Sequence, residues 1–438
     1  MSREVWVNKE DNNHPIFWDF EKNGVLYGKR NKVHTIQIAV KVPKLHADLR
    51  LEATNLDGKN QIIEGESHSW TRNFYNWLSS SMGKNIVDAT NFQDGNINVK
   101  DTSGTVRSNS SYGLVPLTTN TYSSDANYFA LPTVSTSGIV VGTGTAAESE
   151  NDYVLATPVA HGISANKLYY QTSQTNILSY IWTSGTRTQL KKLTRFFDNF
   201  SGSSITLKEI GQIAKFNVSV SEYDVLVARD LIPDLVIANI TTAMISYIYS
   251  LVFPSTGSPL RNFYNYLFSL CSNSIAVEST FQDGSINLKD TGGTVRYGYN
   301  IGWQRTGSLE STTAYGFFRS SGSTVSGVQV GTGGTAVSFG DYVLESLIAH
   351  GTGAGQLSYG ITETPSRVWV DPTMTIQQAR VITNTSGGSI TVKEVGLVGT
   401  IGVFSAYNVL MLRDVITDVA VANGESIRPV HQFQVIYP

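Results

Sequence analysis

Two histidines stand at matching places in this chain, His161 and His350, each inside an Ala-His-Gly run. Each follows an aspartate, Asp152 or Asp341, nine residues earlier. A His–Asp pair is a base with its orienting partner, two thirds of a nucleophilic triad. The remaining third is missing. No serine sits in a G-x-S-x-G elbow, and the lone cysteine, Cys271, has no twin. The seven histidines are scattered singly, without the H-E-x-x-H spacing that puts two zinc ligands on one helix face. The expected role of His161 and His350 is a hydrogen bond at a strand end.

Other candidates for chemistry also read as framework. The runs "GTGTAA" and "GTGGTA" lack the Lys-Ser/Thr of a P-loop, and no helical pattern follows them. Gly142, Gly144, Gly331 and Gly333 are therefore read as turn or bulge positions. A glycosidase needs paired carboxylates in a groove. Asp94, Asp101, Asp283 and Asp290 recur as pairs, but each precedes Gly or Thr, where an aspartate caps backbone amides. Lys191, Lys192 and Arg195 read as a solvated basic face. Arg229 and Glu209 are expected to pair across strands, or across subunits, and to set register. The sequence predicts no catalytic residue, cofactor or metal, and no enzyme.

The elements that carry these residues come twice. "FQDGNINVKDTSGTVR" (Phe92–Arg107) returns 189 positions later as "FQDGSINLKDTGGTVR" (Phe281–Arg296). From Arg72–Arg107 onto Arg261–Arg296, 21 of 36 positions match without a gap. "GTGTAAESENDYVLATPVAHG" matches "GTGGTAVSFGDYVLESLIAHG", "SGSSITLKEIG" matches "SGGSITVKEVG", and "DVLVARDLI" matches "NVLMLRDVI". The period is that of a whole domain rather than of a solenoid repeat. Each copy opens on a predicted helix. In the first, Trp70, Phe74, Trp77 and Leu78 share one helical face; in the second, Ser258 reads as N-cap and Pro259 as the first helical residue. The rest reads as strands, with hairpin turns at Ser103-Gly104 and Gly292-Gly293.

The fold expected is mainly β: two tandem homologous β-sandwich domains, each flanked by one short helix. Residues 1–33 form an aromatic arm with Trp6 and Trp18, 34–254 the first copy and 255–438 the second. The arm is expected to dock on a neighbouring subunit. Only "PSTGSP" separates the last strand of copy one from the helix of copy two, which predicts a fixed orientation between them.

Composition narrows the function classes. Charged residues make up 15% of the 438 and the net charge is −3, unlike the basic surface that releases counterions from nucleic acid. The N-terminus has no apolar signal-peptide core, and no apolar run is long enough to span a bilayer. A soluble chain made in a reducing cytoplasm is expected.

The ordered motifs F-Q-D-G-x-I-N-x-K-D-T-x-G-T-V-R, V-G-T-G-x-x-A-x-S-x-x-D-Y-x-L, A-H-G-T-G-A-G-Q-L-S-Y-G and S-G-x-S-I-T-V-K-E-V-G resemble β-rich virion proteins of tailed bacteriophages. The resemblance covers both copies and leaves residues 1–33 outside. It implies a virion structural protein synthesised in the host cytoplasm, in the manner of duplicated-domain tail tube proteins. Such a subunit would stack as trimeric, pseudo-sixfold rings around a DNA conduit. Its partners would be itself, other tail or virion proteins and DNA passing without specific contact, with no membrane. Head decoration or fibre is the alternative place in the virion, and a carbohydrate-binding tail-tip module is a further one. In this reading the assembly contacts are Asn98, Lys100 and Arg107, their twins Asn287, Lys289 and Arg296, and the arm residues Trp6 and Trp18.

Overall fold

Ile36, Ile38 and Val40 alternate with more polar neighbours and are all buried, so their strand has one inward face. A computed structural model describes residues 5–8, 17–22, 25–29, 32–43, 46–54, 60–67, 70–82, 91–93, 95–107, 115–116, 130, 132–171, 181–218, 221–255, 257–271, 280–285, 287–296, 317, 320–402 and 406–437. The chain is mainly β. Ahead of the first helix run β1 (Val5–Asn8), β2 (Phe17–Lys22), β3 (Val25–Lys29), β4 (Val33–Lys41), β5 (His46–Thr54) and β6 (Asn60–Glu66). Helix α1 (Arg72–Met82) is followed by β7 (Val99–Lys100), β8 (Val106–Arg107), β9 (Val115–Pro116), β10 (Gly138–Gly142), β11 (Tyr169–Tyr170) and β12 (Ile181–Thr183). Four long strands close the first half: β13 (Thr188–Asn199), β14 (Ile205–Val218), β15 (Ser221–Ile237) and β16 (Thr241–Val252). The second half holds α2 (Arg261–Cys271), β17 (Leu288–Lys289), β18 (Val295–Arg296), β19 (Gly327–Gly331), β20 (Ser358–Thr362) and β21 (Ser366–Val370). It ends with β22 (Thr373–Thr383), β23 (Ile390–Gly402), β24 (Ala406–Val421) and β25 (Ser426–Ile436).

Each half carries a larger and a smaller sheet. In the first, β11-β13-β16-β5-β6 runs in that order with β12 also on β13, and β10-β14-β15 forms the smaller sheet with β9 on β14. In the second, β20-β22-β25-β4-β1 has β21 on β22, and the smaller sheet is β19-β23-β24. The antiparallel β14–β15 register slips between Leu207 and Glu209 and again between Gln212 and Ile213. Strands β23–β24 slip at the matching places, Val392/Glu394 and Leu397/Val398. The bulge matters because it re-aims the glutamate that follows it.

The strands ahead of α1 divide between the halves. Strand β5 pairs antiparallel with β16, whereas β4 pairs in parallel with β25, the last strand of the other half. Only residues 42–45 connect β4 to β5, so the N-terminal region ties the two large sheets together. Strand β1 extends the second half's sheet, with Trp6 opposite Gln37. Of the arm expected to dock on a neighbouring subunit, the stretch around Trp6 pairs through its backbone with β4 of its own chain. Trp18 lies on β2, opposite Gly28 of β3.

Two further expectations change. Ser258 and Pro259 do not open α2. The helix begins at Arg261: the Leu260 carbonyl accepts from the N–H groups of Phe263 and Tyr264 at 3.0 and 3.3 Å, which makes Leu260 the cap, and its own N–H donates to the Met411 carbonyl of β24 at 3.1 Å. In the first half the Thr71 N–H donates likewise to the Val227 carbonyl. Lys191 and Arg195 are not on a solvated face. Strand alternation turns both inward with Leu193, and Arg195 is 0% exposed. Its guanidinium donates to the carbonyls of Gln171, Ser137, Ile139 and Val134, and burial lowers its pKa to about 10. Arg380 does the same in the second half, on Gly360, Val328 and Ser320.

Candidate functional site

The six hairpin residues expected at assembly contacts are engaged inside their own half. In α1, the Asn73 side chain reads one residue of the hairpin as a strand partner would. Its Oδ1 accepts from the Lys100 N–H at 2.7 Å and its Nδ2 donates to the Lys100 carbonyl at 3.0 Å and to the Leu226 carbonyl at 2.9 Å. Asn262 repeats this with Lys289 and Leu410. Asn98 and Asn287 are buried and donate to the carbonyls of Asn91 and Thr280. The ammonium groups of Lys100 and Lys289 lie over the rings of Tyr153 and Tyr342, both at 3.9 Å. Arg107 and Arg296 pair with Asp101 and Asp290 at 2.7 and 2.6 Å and stack on Tyr223 and Tyr407. Asp101 also caps the turn, accepting from the N–H groups of Ser103 and Thr105, and Gly104 takes the φ of +85° that the turn requires. Thus "RNFYN" and "NxKDTxGTVR" recur together because each supplies the other's hydrogen bonds.

The glycine-rich runs are an anion cradle, but the anion belongs to the chain. Glu209 is 0% exposed, and its carboxylate accepts from the N–H groups of Gly144, Ala156 and Thr157 at 3.1, 3.0 and 2.7 Å. Arg229 closes the site, with Nε on Glu209 at 2.9 Å and Nη1 on Asp152 at 2.7 Å. Glu394 repeats it with Gly333, Glu345, Ser346 and Arg413, and Arg413 also holds Asp341 at 2.8 Å. Burial would lower Arg229 and Arg413, but their bonds to the carboxylates outweigh it and raise both. Gly142 and Gly144 are not among the residues of positive φ; they are glycines because the carboxylate lies where a Cβ would. The bulge geometry expected of them is replaced by this demand for space.

The halves clasp each other reciprocally. Trp182 of the first half covers Gly284 in the second half's F-Q-D-G turn, and Trp369 of the second covers Gly95 in the first. Tyr75 of α1 packs on Tyr437 with ring centres 5.1 Å apart, while Tyr264 of α2 packs on Phe253 at 5.3 Å. Such an exchange of identical contacts is the mark of a closed, two-fold interface. Every described side chain of both helices is buried except Arg261, which is partly exposed, so the single apolar stripe read from the sequence understates their contacts.

The two seams differ in polar detail. The Tyr437 hydroxyl donates to Asn76 Oδ1 at 2.9 Å and lies 3.1 Å from Ser79 Oγ. Phe253 has no hydroxyl, and the corresponding Asn265 Oδ1 is buried with no partner among the described residues. Tyr437→Phe should therefore cost about 1–3 kcal/mol, read as a shift in urea midpoint, because it orphans two buried groups. On the other seam, Asp283 binds Arg187 across the halves at 2.7 Å and Arg261 within its own at 2.6 Å. Burial alone would raise the Asp283 carboxyl, but the two arginines outweigh it and hold it below the usual range. A depressed folded-state pKa gives stability that is present above the unfolded value and lost as pH falls through the folded one. Asp283→Asn should lower stability at neutral pH and flatten its fall below about pH 4, followed by thermal unfolding at a series of pH values.

No family model, curated protein or solved structure matches this chain. His161 and His350 accept, through Nδ1, the N–H of Tyr170 and Tyr359 at 3.2 and 3.1 Å, as strand-end hydrogen bonds. Asp152 and Asp341 face arginines rather than these histidines. Asp94 lies outside the described residues, and of the Cys271 side chain nothing is described. A shallow groove of about 440 Å³ on β5 and β6 is lined by Asp48, Leu49, Arg50, Glu64, Gly65 and Ile248, where Arg50 is tied to Glu52 and Glu64. Sequence reading missed Asn73, Asn76 and Arg195 as framework residues. Their identity with Asn262, Asn265 and Arg380 was the available signal.

Proposed function

We propose that this chain is a self-assembling structural protein of a tailed-bacteriophage virion, with a tail tube subunit as the first place to test. The observation that carries the proposal is the use made of the residues present twice. The asparagines, the buried glutamates and arginines, the hairpin lysines and the F-Q-D-G turns all hold the framework or join the halves. A chain whose buried repeated polar residues, among those described, serve architecture suits a building block. The reciprocal clasp refines the tube reading. Neighbours around a ring meet head to tail, whereas these halves meet as a closed pair, so the whole chain would be the repeating unit. The same feature suits the second reading, a decoration or fibre protein of the virion, equally well, since a closed pair does not of itself stack.

Electron microscopy and sedimentation velocity of the concentrated protein test both. Stacked hollow rings support the tube; discrete trimers that never stack support decoration or fibre. A chain that stays monomeric at every concentration would count against self-assembly altogether.

A further inference from the structure

The two small sheets end in matching edge strands that are protected differently. In the first half, three groups on the outer edge of β15 are bonded by side chains. The Leu231 N–H donates to Glu148, the Asp234 carbonyl accepts from Gln61 Nε2 at 2.7 Å, and the Val236 N–H donates to Gln61 Oε1 at 3.2 Å. Between them stands Pro233, which has no N–H to offer. These are the usual devices that keep a sheet edge from pairing with another chain.

The second half lacks all of them. By register, Val415 faces Glu394 as Leu231 faces Glu209, and Ala420 faces Thr391 as Val236 faces Thr206. The Val415 N–H, the Asp418 carbonyl and the Ala420 N–H therefore point outward at the same three places. Glu148 is replaced by Val337, which packs on the small apolar cluster of Leu260, Leu344, Val398 and Leu410. Pro233 is replaced by Thr417. The β5–β6 hairpin that brings Gln61 has no counterpart there, since β4 and β1 occupy the matching flank. Among the described residues nothing is bonded to these three groups, and Val415 and Ala420 are exposed.

A donor of the right kind lies in the same chain. Strands β2 and β3 pair only with each other among the described residues, in a two-stranded sheet with both edges open. An isolated two-stranded hairpin is marginal in water and gains stability from a third strand.

We infer that the Val415–Ala420 edge of β24 is a strand-addition site, and that its occupant is the β2–β3 hairpin of a second copy of this chain. One donor and one acceptor per chain give a head-to-tail contact, which closes into a ring or propagates as a filament. The inference rests on the self-assembly reading above and supplies its contact.

The test uses the full chain with Thr417→Pro, the residue that the first half already accommodates at the matching place. Assembly is followed by sedimentation velocity, and unfolding confirms that the fold is kept. The assembly midpoint is expected to move to at least roughly tenfold higher concentration, since added edge hydrogen bonds are lost. An equal mixture of isotopically light and heavy wild-type protein is then amine cross-linked. Lys393, held beside Asp418 at 3.1 Å, should join Lys22 or Lys29 in mixed light–heavy pairs. If Thr417→Pro assembles normally and those pairs are absent, the edge contact is overturned while self-assembly stands. Cross-links from Lys393 only within one copy, or to the second half of another copy, overturn the hairpin as occupant. A wild type that never assembles overturns both readings.

Discussion

Arg413→Met is expected to cost about 3–5 kcal/mol, the range for removing one partner of a buried ion pair. The reason is the company that Glu394 keeps. It is 0% exposed, and its two oxygens face three backbone N–H groups and the Arg413 guanidinium at 2.8 Å. Methionine fills much of the arginine stem's volume but leaves the carboxylate without its countercharge. Asp341, which shares the guanidinium, loses its countercharge as well and keeps only the Ser338 N–H among the described residues. The first-half equivalent, Arg229→Met, should behave alike, because Glu209 and Asp152 stand in the same places. Lys393→Ala is the matched control. Its pair with Asp418 is exposed on both sides, and exposed pairs are worth about 0–1 kcal/mol. Urea unfolding of the three variants measures the difference. Equal, small losses in all three would show that the buried pair does not hold the sheet and its loop together.

Gly331→Ala is the second large effect, about 3 kcal/mol, at the upper end of what overpacking usually costs. A Cβ there would lie 2.5 Å from the Ser346 carbonyl oxygen and would overlap the Glu394 carboxylate. Neither neighbour has room to retreat, since the carbonyl accepts from Thr332 and the carboxylate is fixed on three sides. Gly142→Ala meets Glu209 Oε1 at 2.5 Å and the Thr157 carbonyl at 2.6 Å, and should lose a similar amount. Gly388→Ala is the contrast: nothing lies within 4 Å and its φ is not positive, so it should be neutral or slightly stabilising. Comparing thermal midpoints of the three separates the need for space from the need for flexibility.

Both effects come from one arrangement, and the sequence displayed only its parts. The runs "GTGTAA" and "KEIG" return as "GTGGTA" and "KEVG", and the pairing of Arg229 with Glu209 follows from strand neighbours. What the glycines face could not be read, because Gly144 and Glu209 are 65 positions apart and meet only once β10 lies on β14. The hairpin shows the same division. Its turn at Gly104 and the Asp101 cap are local and were legible, but the engagement of Lys100 and Asn98 by α1 was not. Lys100 and Arg107, read from the sequence as assembly contacts, have their charges placed on Tyr153 and Asp101 within their own half.

By itself the sequence determined the β class, the repeated order of elements, the inward faces of strands such as β4, and the hairpin turns. Each of these follows from alternation, turn chemistry or identity between copies, which act over a few residues or by direct comparison. Tertiary structure alone decided that Arg195 is buried, that β4 crosses to the second half, that the halves clasp reciprocally, and that side chains bond the β15 edge where no described residue bonds the matching groups of β24. Those outcomes depend on which distant backbone groups meet, and spacing along the chain does not encode that.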